Sequence, residues 1–325
     1  EKLIDTFGRE INYLRISVTD RCNLRCVYCM PRYGITQKEP HEILTFEEIN
    51  SIAKLMAALG VNKMRITGGE PLVRKDVVKF IASLSKIPRI DDLSLTTNGV
   101  LLARCAKELK ESGLKRINVS LDTLNDAKFK FITRGGVLCE VMEGIEEAHK
   151  LGFFIKLNVV AMQGINTDEI LDFVRFGMDK GITVRFIEYM PKGEKDFWDP
   201  DKYIAMDQVM KKVGSLGSLV PVEGIKGNGP ARYFRLQGST APIGFISALS
   251  CKFCSQCNRL RLTADGFLLS CLAYDYGVSL RDALRNNNDS REIIRLIKEA
   301  VHCKPKEHSM GLNSLSGCSM SEVGG

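Results

Sequence analysis

No stretch of the 325-residue chain approaches 18 uninterrupted apolar residues, whereas a helix crossing a bilayer needs about 20. A membrane-spanning helix is therefore excluded, and no membrane partner is expected. Residues 1–8 contain no apolar segment of the kind a secretory signal carries. No dense Lys/Arg stripe with interleaved aromatics appears, so no nucleic-acid partner is expected. A G-x-G-x-x-G loop does not follow the first predicted strand, which removes the usual mark of a doubly wound dinucleotide-binding sheet. An initiator Met is also missing. The expected compartment is the cytoplasm, or an organelle if a transit peptide has been removed.

The composition that remains is that of a chain able to bury a core, 44% hydrophobic and 26% charged. Against 39 Asp and Glu stand 46 Lys and Arg, a net charge of +7 spread along the chain. A slightly basic, solvated surface and an anionic substrate both fit that excess. Eleven cysteines without a signal peptide point to metal chemistry in a reducing compartment.

The chain is organised around Cys22-Asn23-Leu24-Arg25-Cys26-Val27-Tyr28-Cys29, three thiols at C-x3-C-x2-C directly after a short strand pattern. Those gaps let three thiols converge from one tight loop. An odd number of close thiols in a non-secreted chain argues against a disulfide. Structural zinc wants four ligands, and the nearest further candidate is His41. An iron–sulfur cubane with three protein ligands remains, its fourth iron open to an exogenous ligand.

Six strands, 13–18, 63–67, 92–97, 116–121, 154–161 and 183–188, alternate with helices. Near-continuous apolar runs such as Asn158-Val159-Val160-Ala161 suit parallel strands covered on both faces. Helices are expected from Thr45 (capping box with Glu48) to Gly60, at 103–112 and at 141–151. Six βα units predict an α/β fold, an incomplete TIM-like (β/α)6 barrel over 1–190, its chemistry at the C-terminal strand ends. Residues 191–325 form a C-terminal region covering the open side. It holds a helix near 206–213, a hairpin joining 232–236 to 243–246, and helices at 279–286 and 290–302, the last with a capping box Asp289/Glu292.

After the second strand comes Gly68-Gly69-Glu70-Pro71. The glycines permit close backbone approach, and Pro71 biases Glu70 to an extended conformation. Further on, Cys254, Cys257 and Cys271 stand at C-x2-C-x13-C around the turn dipeptide Asp265-Gly266, with Arg259 and Arg261 on one strand face. Two guanidiniums beside a metal centre suit a phosphate-bearing substrate, although a solvated basic strand also accounts for them.

The cysteine loop with an aromatic before its last Cys, followed by GGEP, resembles the radical S-adenosylmethionine (SAM) superfamily. The second cysteine set, with Leu95-Thr96-Thr97-Asn98-Gly99, Asn118-Val119-Ser120-Leu121-Asp122, Arg185-Phe186-Ile187-Glu188-Tyr189-Met190-Pro191, the Phe7-Gly8-Arg9 start and the terminal Gly324-Gly325, resembles the GTP 3′,8-cyclase family of molybdenum cofactor biosynthesis. The resemblance implies two [4Fe–4S] clusters and SAM as cofactors, on a radical SAM barrel. Cys22, Cys26 and Cys29 would hold the first cluster, and Cys254, Cys257 and Cys271 a second whose open iron faces guanine. Tyr28, Gly69, Ser120 and Met190 would contact SAM. Arg15, Lys63, Arg65, Thr96, Lys156, Arg259, Leu260 and Arg261 would contact GTP, with Arg259, Arg261, Gly324 and Gly325 at the reaction itself. A 5′-deoxyadenosyl radical would abstract the ribose C3′ hydrogen, and C3′ would then bond guanine C8.

Implied partners are an electron donor of flavodoxin or ferredoxin type, a second copy in a homodimer, and a cyclic pyranopterin monophosphate synthase receiving the product. Cys251, three before Cys254, is extra to the pattern. A four-thiolate zinc site or a fully ligated second cluster stays open on that account. A radical SAM peptide maturase and an electron-transfer or zinc scaffold are the alternatives.

Overall fold

The computed structural model describes residues 2–227, 229–286, 289–312 and 320. Its framework is one twelve-stranded sheet: β1 (Tyr13–Ser17), β2 (Lys63–Thr67), β3 (Asp92–Thr97), β4 (Arg116–Ser120), β5 (Phe154–Ala161), β6 (Thr183–Glu188), β7 (Leu219–Pro221), β8 (Arg232–Leu236), β9 (Ile243–Ile246), β10 (Arg259–Leu262), β11 (Phe267–Leu269) and β12 (Val278–Ser279). The spatial order is β12-β11-β10-β1-β2-β3-β4-β5-β6-β9-β8-β7. The six expected strands are therefore neighbours in sequence order, all parallel, as a partial TIM-like barrel requires.

Residues beyond 190 extend that sheet at both ends. Strand β10 pairs in parallel with β1, and β9 pairs in parallel with β6. The expected hairpins are present as the antiparallel pairs β8–β9 and β10–β11.

Alternation along the parallel strands separates two environments. Leu14, Ile16, Met64, Ile66, Leu95, Ile117, Val119, Leu157, Val184, Phe245, Leu260 and Leu262 belong to the apolar core that packs under the helices. Tyr13, Arg15, Arg65, Thr96, Ser120, Asn158, Arg185, Arg259 and Arg261, in the opposite phase, line an interior cavity. A period of two carries this sorting, since successive side chains leave opposite faces of a strand.

Helix Phe46–Ala58 begins with both halves of the Thr45/Glu48 capping box in place. Helices Leu102–Glu111, Leu138–Lys150, Met206–Gly214, Leu280–Asn286 and Ser290–His302 fall where expected, the second starting three residues early. At the last, the expected capping box is replaced by a simple cap: the Asp289 carboxylate accepts from the Arg291 amide, while Glu292 pairs with Arg295 instead. An Arg three residues on offers Glu292 a charged partner, which outcompetes the backbone amide. No helix among the described residues is long and apolar enough to cross a membrane.

Candidate active site

The cysteine loop leaves the C-terminal end of β1 and is clamped by the turn after β2. Gly69 donates its amide to the Thr19 carbonyl (2.8 Å) and Glu70 donates to that of Arg21 (2.8 Å). A Cβ on Gly69 would lie 2.4 Å from the Arg21 carbonyl oxygen. The close approach that these glycines allow is thus between two stretches of backbone, which fixes the start of the cysteine loop. Glu70, extended as expected and fully buried, accepts from the Leu72 amide (3.0 Å), the Thr97 hydroxyl (2.8 Å) and the Asn98 amide (2.6 Å). Burial pushes its carboxyl up to about 7, against those three donors. Asn98 in turn donates to Asn23 Oδ1 (2.8 Å) and lies 3.8 Å from Cys22 Sγ.

Cys22, Cys26 and Cys29 all line the interior cavity. Burial raises the Cys22 thiol to about 11, and burial with the neighbouring Cys29, Asp122 and Cys22 raises Cys26 well above its ordinary value. Raised thiols of this kind lose their protons when a metal binds them. Between them, the Tyr28 hydroxyl donates to Asp122 Oδ2 (2.6 Å). The other Asp122 oxygen accepts from the Val160 amide (2.8 Å), joining the loop to the ends of β4 and β5.

Below this loop the interior is cationic. Arg15 stands beside Arg261 on one side and Arg65 on the other in the strand register. Arg65, Arg116, Lys156, Arg185 and Arg261 are buried with it. Arg116 forms a two-pronged pair with Asp92 at 2.6 and 2.8 Å. Arg185 donates to Asn118 Oδ1 (2.7 Å), and Lys156 to the Lys226 carbonyl (2.6 Å) and the Tyr233 hydroxyl (2.9 Å). Burial, then Arg185, Arg116 and Arg65, brings Lys156 down to about 6; burial and neighbouring cations bring Arg65 to about 10. Like charges are held together here out of water, an arrangement that a multiply charged anion relieves.

The second cysteine set lies against the far side of this floor. All ten described cysteines are free thiols. Burial raises the Cys257 thiol, but Arg259 and Lys304 outweigh it and bring the group to about 6. Arg259 Nη2 stands 3.8 Å from Cys257 Sγ, and its guanidinium lies over Phe253. Among the described residues no three His, Cys, Asp or Glu side chains converge tightly enough to hold a single metal ion. A tetrahedral four-thiolate zinc centre needs such convergence. A cubane does not, since each thiolate ligates a separate iron.

Of the residues expected from sequence, Cys22, Cys26, Tyr28, Cys29, Arg15, Arg65, Gly69, Thr96, Ser120, Met190, Arg259 and Arg261 share one cavity. Lys63 is half-buried at the first position of β2 and does not line it. Lys156 is buried beneath it, and the Leu260 side chain belongs to the helix-facing core. Gly324 and Gly325 lie outside the described residues. Arg116, Arg185, Asp122 and Lys304 were not singled out. Arg116 and Arg185 were nonetheless readable, being in the inward phase of two predicted strands.

The parallel partial barrel with three cysteines at the end of its first strand defines a radical SAM protein. Residues 16–177 match the family model of the Radical SAM superfamily, and residues 182–310 that of Molybdenum Cofactor Synthesis C. The chain is 49% identical over 325 residues to the GTP 3′,8-cyclase of Peptoclostridium acidaminophilum, covering 99% of this chain and 98% of that one. It is 46% identical over 333 residues to that of Listeria monocytogenes, covering 99% of each. The chain belongs to the GTP 3′,8-cyclase family. Among solved structures, Streptococcus suis SuiB bound to precursor peptide SuiA aligns with a TM-score of 0.63 at 14% identity, over 85% of this chain and 65% of SuiB. SuiB bound to S-adenosylmethionine gives 0.61 at 14% identity, over 87% and 63%. This chain therefore spans about two thirds of SuiB's length, and the likeness shows the shared fold alone.

Proposed function

We propose that the protein cyclises GTP to (8S)-3′,8-cyclo-7,8-dihydroguanosine 5′-triphosphate, the first step of molybdenum cofactor biosynthesis. The observation that carries this reading is the buried cation floor of Arg15, Arg65, Arg185 and Arg261 in the same cavity as the Cys22, Cys26 and Cys29 thiols. A triphosphate fits that floor, and a radical source fits those thiols.

Cys22, Cys26 and Cys29 would hold one [4Fe–4S] cluster and Cys254, Cys257 and Cys271 another. With SAM bound, the first cluster would supply a 5′-deoxyadenosyl radical. Tyr28, Gly69, Ser120 and Met190 would hold SAM. Arg15, Lys63, Arg65, Thr96, Lys156 and the stretch Arg259, Leu260 and Arg261 would hold GTP. The chain's own contribution is orientation and exclusion of water: the guanidiniums fix the phosphates, which sets where ribose C3′ lies relative to the cysteine loop. Arg259 and Arg261 also place fixed positive charge near any anionic radical that develops on guanine. Gly324 and Gly325 would complete the catalytic set. An external one-electron donor of flavodoxin or ferredoxin type, a homodimer, a cytoplasmic setting and a cyclic pyranopterin monophosphate synthase as product acceptor belong to the same reading.

The test is anaerobic turnover of iron–sulfur-reconstituted protein with SAM, dithionite and each nucleoside triphosphate separately. Deoxyadenosine formed in proportion to an isomeric, cyclised GTP product is expected. Deoxyadenosine released at the same rate with or without GTP would overturn the substrate assignment.

A further inference from the structure

Lys304 is 3% exposed, as deeply buried as the apolar core, yet its ammonium has no carboxylate ion pair among the described residues. It donates instead to two carbonyls, Arg259 O (2.9 Å) and Ser270 O (2.5 Å). Those carbonyls adjoin the two arms of the second cysteine set, since Arg259 follows Cys257 by two residues and Ser270 directly precedes Cys271. Burial holds the Lys304 ammonium below its ordinary value; Cys257 and Cys271 act against that, and Arg259 and Arg9 add to it.

The same feature is anchored a second time, from the other end of the chain. Arg9, in the Phe7-Gly8-Arg9 start, is buried and paired with Asp5 at 2.5 Å. Its guanidinium donates to the Cys254 carbonyl (2.7 Å) and to the carbonyls of Pro305 (2.6 Å) and Lys306 (3.0 Å). Residues immediately after Lys304 are thereby tied to the first cysteine of the set. Burying an ammonium without a counter-charge is unfavourable, so an anion is expected close to Lys304. Thiolates on an iron–sulfur centre held by Cys254, Cys257 and Cys271 would place negative charge beside this ammonium.

We propose that Lys304 is a positioning residue for the second cysteine set: it pins the Cys257 and Cys271 arms together and acts as the fixed counter-charge of the cluster they hold. This rests on the two-cluster reading above. One-electron reduction adds a negative charge to a cluster, and an adjacent buried ammonium stabilises that form, so Lys304 raises the cluster's reduction potential. The first cysteine set follows the C-terminal end of β1, whereas Cys257 precedes the start of β10, which pairs with β1 in parallel.

The test uses full-length protein in which Cys22, Cys26 and Cys29 are replaced by Ala, so that only the second set can bind iron. Iron and sulfide are counted, and the midpoint potential is followed by paramagnetic resonance during a redox titration. Four irons in the parent protein, a lower potential in Lys304→Met and in Lys304→Gln, and recovery toward the parent value in Lys304→Arg are expected. A full cluster with unchanged potential in both neutral variants would overturn the counter-charge role while leaving the two-cluster reading intact. A parent protein that binds no cluster would overturn both. If Lys304→Met fails to fold, Lys304→Gln, which keeps a donor to the two carbonyls, decides alone.

Discussion

Arg15 on β1 and Arg261 on β10 are register partners in adjacent parallel strands, and both are buried. Burial, then Arg261 and Arg65, holds the Arg15 guanidinium well below its ordinary value, and burial with Arg259 brings Arg261 to about 10. A sheet that sets two guanidiniums side by side out of water is organised for something negative to come between them.

Arg261→Ala is accordingly expected to weaken GTP binding about 10- to 100-fold, the equivalent of roughly 1.5–3 kcal/mol for a lost charge-assisted contact, and to abolish turnover. Iron content should not change. Calorimetric titration with GTP and an iron assay check this, and wild-type affinity with retained activity would remove Arg261 from the substrate site.

Lys156 brings a pH dependence with it. Its folded value, about 6, lies below the unfolded 10.5, so between those limits the unfolded chain holds the extra proton. Stability therefore rises with pH across that window, and below about 6 the contribution is constant. Lys156→Met should raise the apo melting temperature at pH 7.5, with a gain that shrinks toward pH 10. GTP binding near pH 7.5 should take up a proton at Lys156, detected by titration in buffers of different ionisation enthalpy. Equal proton uptake in Lys156→Arg, which is always charged, would sink this account.

Gly69→Ala places a methyl 2.4 Å from the Arg21 carbonyl oxygen and 2.8 Å from that of Asp20, both backbone atoms that cannot swing aside. Overpacking of this kind costs about 1–3 kcal/mol. The displaced segment leads into Cys22, so the variant is expected to lose iron from the first set selectively. Measured iron falling by about half per chain, with the second set's spectrum retained, is the outcome to look for; unchanged iron and melting temperature would contradict it.

Glu70→Gln keeps size and removes charge. One amide oxygen can still accept, but the amide nitrogen would then face one of the donors from Leu72, Thr97 and Asn98. A loss of about 1–3 kcal/mol is expected from the unsatisfied pair. Urea denaturation measures it, and a variant as stable as the parent would show that the loop does not depend on this carboxylate.

Much of this architecture was legible. The six barrel strands could be read because strands covered on both faces need near-continuous apolar residues, and both cysteine sets because their spacing is local. The charge pattern was harder. The net excess of +7 looks dispersed along the chain, yet Arg15, Arg65, Arg116, Lys156, Arg185 and Arg261 are gathered inside. Arg116 sits in no motif, and Arg185 heads a family-like stretch that assigns it no role; their phase on β4 and β6 is what marks them. Lys304 has no local signal at all, standing at the head of a polar stretch after the last helix.

What the sequence determined by itself was local: which segments are strands, which loops carry thiols, where a helix is capped. Those follow from side-chain period, spacing and turn chemistry within a few residues. Tertiary structure alone decided that β10 closes on β1 and β9 on β6, bringing Arg261 to Arg15 and Lys304 to Cys257 across some 250 and 50 residues of chain. Such pairings depend on which sheet edge offers unpaired backbone and an apolar face to cover, and no short stretch of sequence encodes that.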